Sequence, residues 1–432
     1  MEKMRTNAAG IDIGSRQVFV GLENGSVKSF ETFTSDLASL SDYLVQNKVT
    51  TVAMEATGNY WYVLYDILLE AGLDVWLVDG RQTKQVPGRK TDVKDCQWIQ
   101  QLHSFGLLNR CFVPGAMIKE LRSYERLRED HIRSAGMHVQ HMQKALIEMN
   151  IRLPEVLSQV HGASGTALVT AILSGERDRD KLVSLCHKSV REKKGAELLK
   201  ALEGHYTPQG LFALDQAYKA YLFYQDQIHD CDKQIQNTLE KINKDKELPD
   251  GVTSGKRKPI RHNKPKVVDL GSHLLKIFDG RDATKLPGIT DYNWLQLYAE
   301  IGSDLTRWPS EKHFTSWLGL SPGQDRSGKR NKSKSKGKPT AGQLFKEMAH
   351  GLLNSKYISW GGFARRLRGR KGPAIAIKAT ARKLATQYWR LMAKGSDFVE
   401  KGLEAYELIL VEQKKRHLQR LAIELNVQLV PV

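Results

Sequence analysis

Acid is scarce in this chain: 48 Asp and Glu stand against 66 Lys and Arg over 432 residues, a formal charge of +18 and a pI of about 9.5. A water-soluble chain with that excess has a polyanion as its partner, nucleic acid first and anionic membrane second. Long apolar runs are missing too. No stretch reaches the length of a transmembrane helix, and the amino terminus, Met1-Glu2-Lys3-Met4-Arg5, lacks the apolar core of a signal peptide. No membrane role is expected, and the location expected is cytoplasmic and nucleoid-associated. The four cysteines, Cys96, Cys111, Cys186 and Cys231, form no Cys-x-x-Cys pair, which excludes a zinc ribbon and a disulfide framework. No RNA-recognition signature of the stacked-aromatic sheet kind is present.

What the chain does have is four acids in suggestive places. Asp12 lies in Ala9-Gly10-Ile11-Asp12-Ile13-Gly14-Ser15, a short apolar strand that ends in a glycine turn. Glu55 closes a second apolar run, Thr51-Val52-Ala53-Met54-Glu55. Asp92 and Asp95 open a helical pattern over 91–105, and their spacing of three puts both on one helix face. Hard divalent cations take oxygen ligands, and phosphodiester cleavage needs several acids around one or two such ions. The four acids are therefore expected to bind Mg²⁺ (or Mn²⁺) and to be catalytic.

Strand patterns fall at 9–14, 17–22, 26–33, 50–55 and 73–78, and helical ones at 35–47, 60–71 and 91–105. Three early strands followed by alternating helix and strand fit a mixed sheet covered on both faces. With acids on two strand ends and a following helix, this predicts a ribonuclease-H-like α/β domain, RuvC-like, over 1–115. A helical or coiled-coil middle is expected over 116–243, as two long amphipathic helices separated by a small insert at 151–204 with Gly162, Gly165 and Gly175 as breakers. Arg122, Arg126 and Arg133 line the first of these helices and are expected to track a nucleic-acid backbone. His131, His138 and His141 on the same helix read as a polar stripe or phosphate contacts rather than metal ligands. Residues 244–273, rich in Lys, Arg, Pro and Gly, read as a flexible basic linker.

A mainly α domain is expected over 274–400, with a helical tail over 401–432. It opens with Leu286-Pro287-Gly288-Ile289-Thr290, a tight turn before a helix, where backbone N–H groups can hold a phosphate. Further on, Ser321-Pro322-Gly323-Gln324-Asp325 leads into an acid-free basic run. There Arg326, Lys329, Arg330, Lys332, Lys334, Lys336 and Lys338 alternate with small residues, which suits a phosphate backbone. Ser327, between Arg326 and Gly328, is the serine best placed to meet phosphorus, although a hydroxyl needs a base, a metal or positive charge to activate it.

These features occur in one order: the acid set, the Leu-Pro-Gly-Ile turn, Gly319-Leu320-Ser321-Pro322 ahead of Ser327-Gly328, and Ala379-Thr380-Ala381-Arg382-Lys383-Leu384. The order resembles the DEDD transposases of bacterial insertion sequences, the IS110 family and within it the IS1111 branch, over 8–110 and 284–390 with a weaker echo at 162–185. The resemblance implies that Asp12, Glu55, Asp92 and Asp95 are the family's acids and Ser327 its nucleophile. It also implies a recombinase guided by a structured bridge RNA that pairs with donor and target DNA. The assembly implied is a homo-oligomer, a dimer or a tetramer, whose active sites combine the resolvase-like domain of one subunit with the serine domain of another. Two departures stand out, the lysine-rich serine loop and the long stretch at 244–272, and they leave Ser333 and Ser335 as alternative registers.

Three other readings compete. A RuvC-like junction endonuclease using water explains the acids and the charge but gives Ser327 no role. A non-catalytic nucleic-acid-binding scaffold explains the charge alone. An actin-like ATPase would take Gly10 to Ser15 and Val268-Asp269-Leu270-Gly271-Ser272 as phosphate loops.

Overall fold

Short, mostly apolar strands open the sheet: the buried β1 (Ala8–Ile13), then β2 (Gln17–Gly21) and the more exposed β3 (Val27–Glu31). The structure, a computed structural model, describes residues 2–83, 92–252, 258–260, 262–322, 339–354 and 358–428, the side chains of 92, 358–359, 396–407 and 409–410 excepted. Helix α1 (Thr34–Gln46), β4 (Thr51–Glu55), α2 (Trp61–Glu70), β5 (Asp74–Val78), the single turn α3 (Gly80–Thr83) and α4 (Asp92–Ser104) follow. The sheet order is β3-β2-β1-β4-β5, with β3, β2 and β1 antiparallel and β1, β4 and β5 parallel. Every residue of β4 is buried, as a central parallel strand covered on both faces must be, whereas the edge strand β3 carries exposed Lys28 and Ser29. On one face Ile11, Val52 and Val75 pack against Leu40 of α1 and Leu64 of α2; on the other Ala53 and Val78 meet Ile99 and Leu102 of α4. This mixed five-stranded sheet with helices on both faces is a ribonuclease-H-like α/β domain.

Gly10 decides how closely α4 can sit. A Cβ built there would lie 2.2 Å from the Gln100 nitrogen and 2.3 Å from the Cys96 carbonyl oxygen, so helix backbone touches strand backbone. A Gly10→Val chain is expected to lose about 1–3 kcal/mol of stability, the range for overpacking a filled core, read as a lower melting temperature. An unchanged melting curve would show that α4 can retreat without penalty.

The chain forms two compact units, Met1–Val113 and Pro114–Val432. The second unit holds α5 (Ala116–Glu148), α6 (Leu153–Val156), α7 (Ala163–Leu173), α8 (Arg179–Ser184), α9 (Lys188–Ala201) and α10 (Pro208–Ile242). After them come α11 (Leu270–Ile277), α12 (Asp291–Ile301), α13 (Glu311–Trp317), α14 (Thr340–Leu352), α15 (Ile358–Lys371), α16 (Pro373–Lys394) and α17 (Ser396–Glu424). Helices α5 and α10 run antiparallel: Glu120 meets Thr238, Arg128 meets Asp232, and Met142 shares a core with Leu214. Arg128 and Asp232 are almost wholly buried and 2.6 Å apart, and Tyr292 also accepts from the guanidinium. Removing one member of such a pair costs about 3–5 kcal/mol, because the other charge stays buried. The insert helices α6 to α9 close a separate small core with the far ends of α5 and α10. Gly165 breaks nothing; it lies inside α7, where a Cβ would be 2.0 Å from the Val160 carbonyl oxygen.

Two expectations about this unit need correction. The segment read as a flexible linker is fastened along its described residues. Leu248, Val252 and Ile260 pack on the main core. Lys258 donates to the Leu286 carbonyl at 2.5 Å, the Asn263 carbonyl accepts from Arg128, and the Lys266 N–H donates to Asp232. The Pro-Gly turn is likewise an internal feature. Leu286 and Ile289 are fully buried, and Thr290 and Asn293 close a capping box on the first turn of α12. Val268 and a left-handed Asp269 lead into α11, which takes up residues 270–272, and none of the described residues 262–267 is in a strand, which removes the actin-like ATPase reading.

Candidate active site

Two of the four acids end neighbouring strands. The parallel register Ile11↔Met54 continues into Asp12 and Glu55, side by side at the carboxyl ends of β1 and β4. Side chains alternate along a strand, so Asp12 shares the face of Gly10, and Glu55 that of Ala53. That is the face covered by α4, which carries Asp95 one residue before the Cys96 carbonyl pressed against Gly10. The Cys96 thiol registers both charges: burial first, then the Asp12 and Asp95 carboxylates, push it up to about 11. Asp12 and Asp95 are half-buried. Asp92 starts α4 one turn earlier, and its side chain lies outside the described residues.

Glu55 is buried and held on both oxygens. Thr83 donates to Oε2 at 2.7 Å and Thr57 to Oε1 at 3.4 Å, while Gly80 leaves room that a Cβ, 2.3 Å from Oε1, would fill. Sequence reasoning missed Thr57, Gly80 and Thr83. The one signal was their position just after the ends of two strands. Beside them Asp79 is held below the usual carboxylate range by hydrogen bonds from Arg81. Among the described residues no three His, Cys, Asp or Glu side chains converge as a metal cage. The donor set still suits a hard divalent cation. Its described members are carboxylate oxygens on one face.

The other site residues divide into two groups. Ser327, with Arg326, Lys329, Arg330, Lys332, Lys334, Lys336 and Lys338, and the alternatives Ser333 and Ser335, lies outside the described residues. Arg122 and Arg126 are described, and they are engaged by the protein itself. Arg122 donates to the Ala299 and Glu300 carbonyls, and Arg126 forks onto the Glu300 carboxylate at 2.7 and 2.9 Å. Carbonyls at the end of α12 have no partners within the helix and carry its negative pole, so Arg122 caps α12, while Arg126 is held by the Glu300 side chain. Arg133 is exposed and paired with Asp130. His131 and His138 lie against the Tyr224 ring, at 5.8 and 5.5 Å between centroids.

The described residues contain no helix long and apolar enough to cross a membrane. No curated protein matches the chain. Two family profiles do. One, described as transposase and of the DEDD IS110 type, matches residues 9–151; the other, described as transposase of the IS116/IS110/IS902 family, matches residues 281–358. The first spans all four acids, and domains of its type generally use divalent metal ions. The second spans the serine loop. Both profiles fall in one chain, the first on a ribonuclease-H-like sheet with two acids on adjoining strand ends, and the chain belongs to the IS110 family of transposases.

Proposed function

We propose that this transposase cuts and rejoins DNA under the guidance of a structured RNA, with Asp12, Glu55, Asp92 and Asp95 holding Mg²⁺ (or Mn²⁺) and Ser327 as the nucleophile. One observation carries the acid half of this reading. The Gly10 contact sets the helix of Asp92 and Asp95 against the strand that ends in Asp12, next to Glu55. A divalent ion bound there lowers the pKa of a nearby hydroxyl and offsets charge on the reacting phosphate. Thr83 and Thr57 orient Glu55.

Ser327 attacks phosphorus. A serine–phosphate bond forms, one DNA P–O bond breaks, and the proton lost by the serine is matched by one taken up by the departing DNA hydroxyl. The energy of the broken bond is kept in the ester, so resealing to a new end needs no ATP. A junction endonuclease that uses water would leave the family match over 281–358 without a task. The guide RNA, the pairing with donor and target DNA, the IS1111 branch and the homo-oligomer rest on the resemblance of motif order.

Metal removal tests the reading. Purified protein in EDTA is expected to lose DNA cleavage, and added Mg²⁺ or Mn²⁺ to restore it. Full cleavage in EDTA would defeat the assignment of the four acids.

A further inference from the structure

We propose that the exposed arginine face of α15 is a further nucleic-acid contact, a grip on the phosphate backbone of duplex DNA that takes no account of sequence. Within α15, exposed Arg365, Arg366 and Arg370 lie opposite the buried Trp360 and Ala364, exposed Arg368 lies on the flank, and Lys371 is exposed at the helix end. The inner side is well anchored. Ala364 packs with Leu353 and Ala376, and the Lys383 ammonium of α16 sits 5.2 Å from the Trp360 ring and 5.0 Å from that of Phe363. A firmly seated helix therefore presents a cluster of cations to solvent.

Among the described residues nothing neutralises that cluster. No Asp or Glu occurs from 348 to 396. Arg365 reaches the Leu353 carbonyl at 3.5 Å, but among the described residues Arg366, Arg368, Arg370 and Lys371 have no hydrogen bond or ion pair. Cations in a last helical turn do favour the negative pole, yet that effect fades within the turn. Arg366 and Arg370, four apart, repel each other, as do Arg365 and Arg368, three apart. The repulsion reaches further: burial and then Arg366 push the Lys383 amine down to about 7. A face held in this state is suited to an anionic partner, and four of its five cations are arginines, whose planar forks match phosphate oxygens.

The choice of duplex DNA follows from what the face lacks. Single strands are gripped by stacking on aromatic rings, and RNA loops are read the same way. The exposed cluster has no aromatic residue, and no Asn or Gln to read base edges. Gly369 stands between Arg368 and Arg370 with nothing within 4 Å of a Cβ built on it. The protein's own packing does not require glycine there, and the bare backbone leaves room for close approach.

The test uses the full chain with Arg366→Ala, Arg368→Ala and Arg370→Ala combined, and a second protein with lysine at the same three positions. Binding to duplex DNA of arbitrary sequence is followed against salt. Each lost phosphate contact should flatten the slope of log affinity against log salt by about 0.9, so the alanine protein should lose about 2.7 and the lysine protein should keep most of its slope. An unchanged slope in the alanine protein would overturn the proposal. An equal loss in both proteins would also overturn it, by showing a change of fold. A larger loss on single-stranded RNA than on duplex DNA would assign the face to RNA and refute the DNA assignment.

Discussion

An Asp12→Asn protein is expected to fold, to bind DNA as the native chain does, and to cleave it more than about a hundredfold more slowly. Changes to groups that merely orient metal ligands cost about 10–100-fold, and loss of a ligand's charge should exceed that. Asparagine keeps the shape of the side chain, so the Gly10 contact and the packing of α4 stay intact. Asp95→Asn and Glu55→Gln should behave alike, and in the latter Thr83 can still donate to the amide oxygen. Asp42→Asn is the control. It is exposed on α1, whose core contacts lie with Ile11 and Val52 on the face away from α4, and it should change nothing. Cleavage that survives in both Asp12→Asn and Asp95→Asn would show that the catalytic centre lies elsewhere.

The second large effect concerns Ser327. Ser327→Ala should abolish strand exchange while assembly on DNA and RNA persists, because the hydroxyl is the only atom group removed. If water were the nucleophile, the same protein would still cut, releasing free phosphate ends without rejoining them. Ser333→Ala and Ser335→Ala test the register of the loop. Both should recombine normally, and a loss confined to one of them would move the nucleophile to that position.

Much of the sheet was legible because short apolar runs alternate there with helical patterns. Short apolar runs between turn residues gave the strands, and that of Thr51–Glu55 is buried on both faces, so Asp12 and Glu55 could be placed near strand ends. Gly10 was visible, but its task was not: a glycine in a strand says that something approaches closely, and only the fold says that it is α4. Thr83 was hidden for the same reason, since its bond to Glu55 joins residues 28 positions apart. Arg122 and Arg126 misled because an arginine on an amphipathic helix looks the same whether it faces phosphate or the end of another helix. The stretch from 244 misled through composition. Leu248, Val252 and Ile260 are too sparse to form a periodic pattern, yet each finds a place on a core built by other elements.

The most direct test traps the reaction at the serine. A stalled reaction is denatured, digested with protease and nuclease, and the peptides weighed by mass spectrometry. The account predicts nucleotide mass on the peptide containing Ser327, abolished by Ser327→Ala and by EDTA. Cleaved DNA with no nucleotide on any serine would contradict it, leaving water as the nucleophile and a junction endonuclease as the better description.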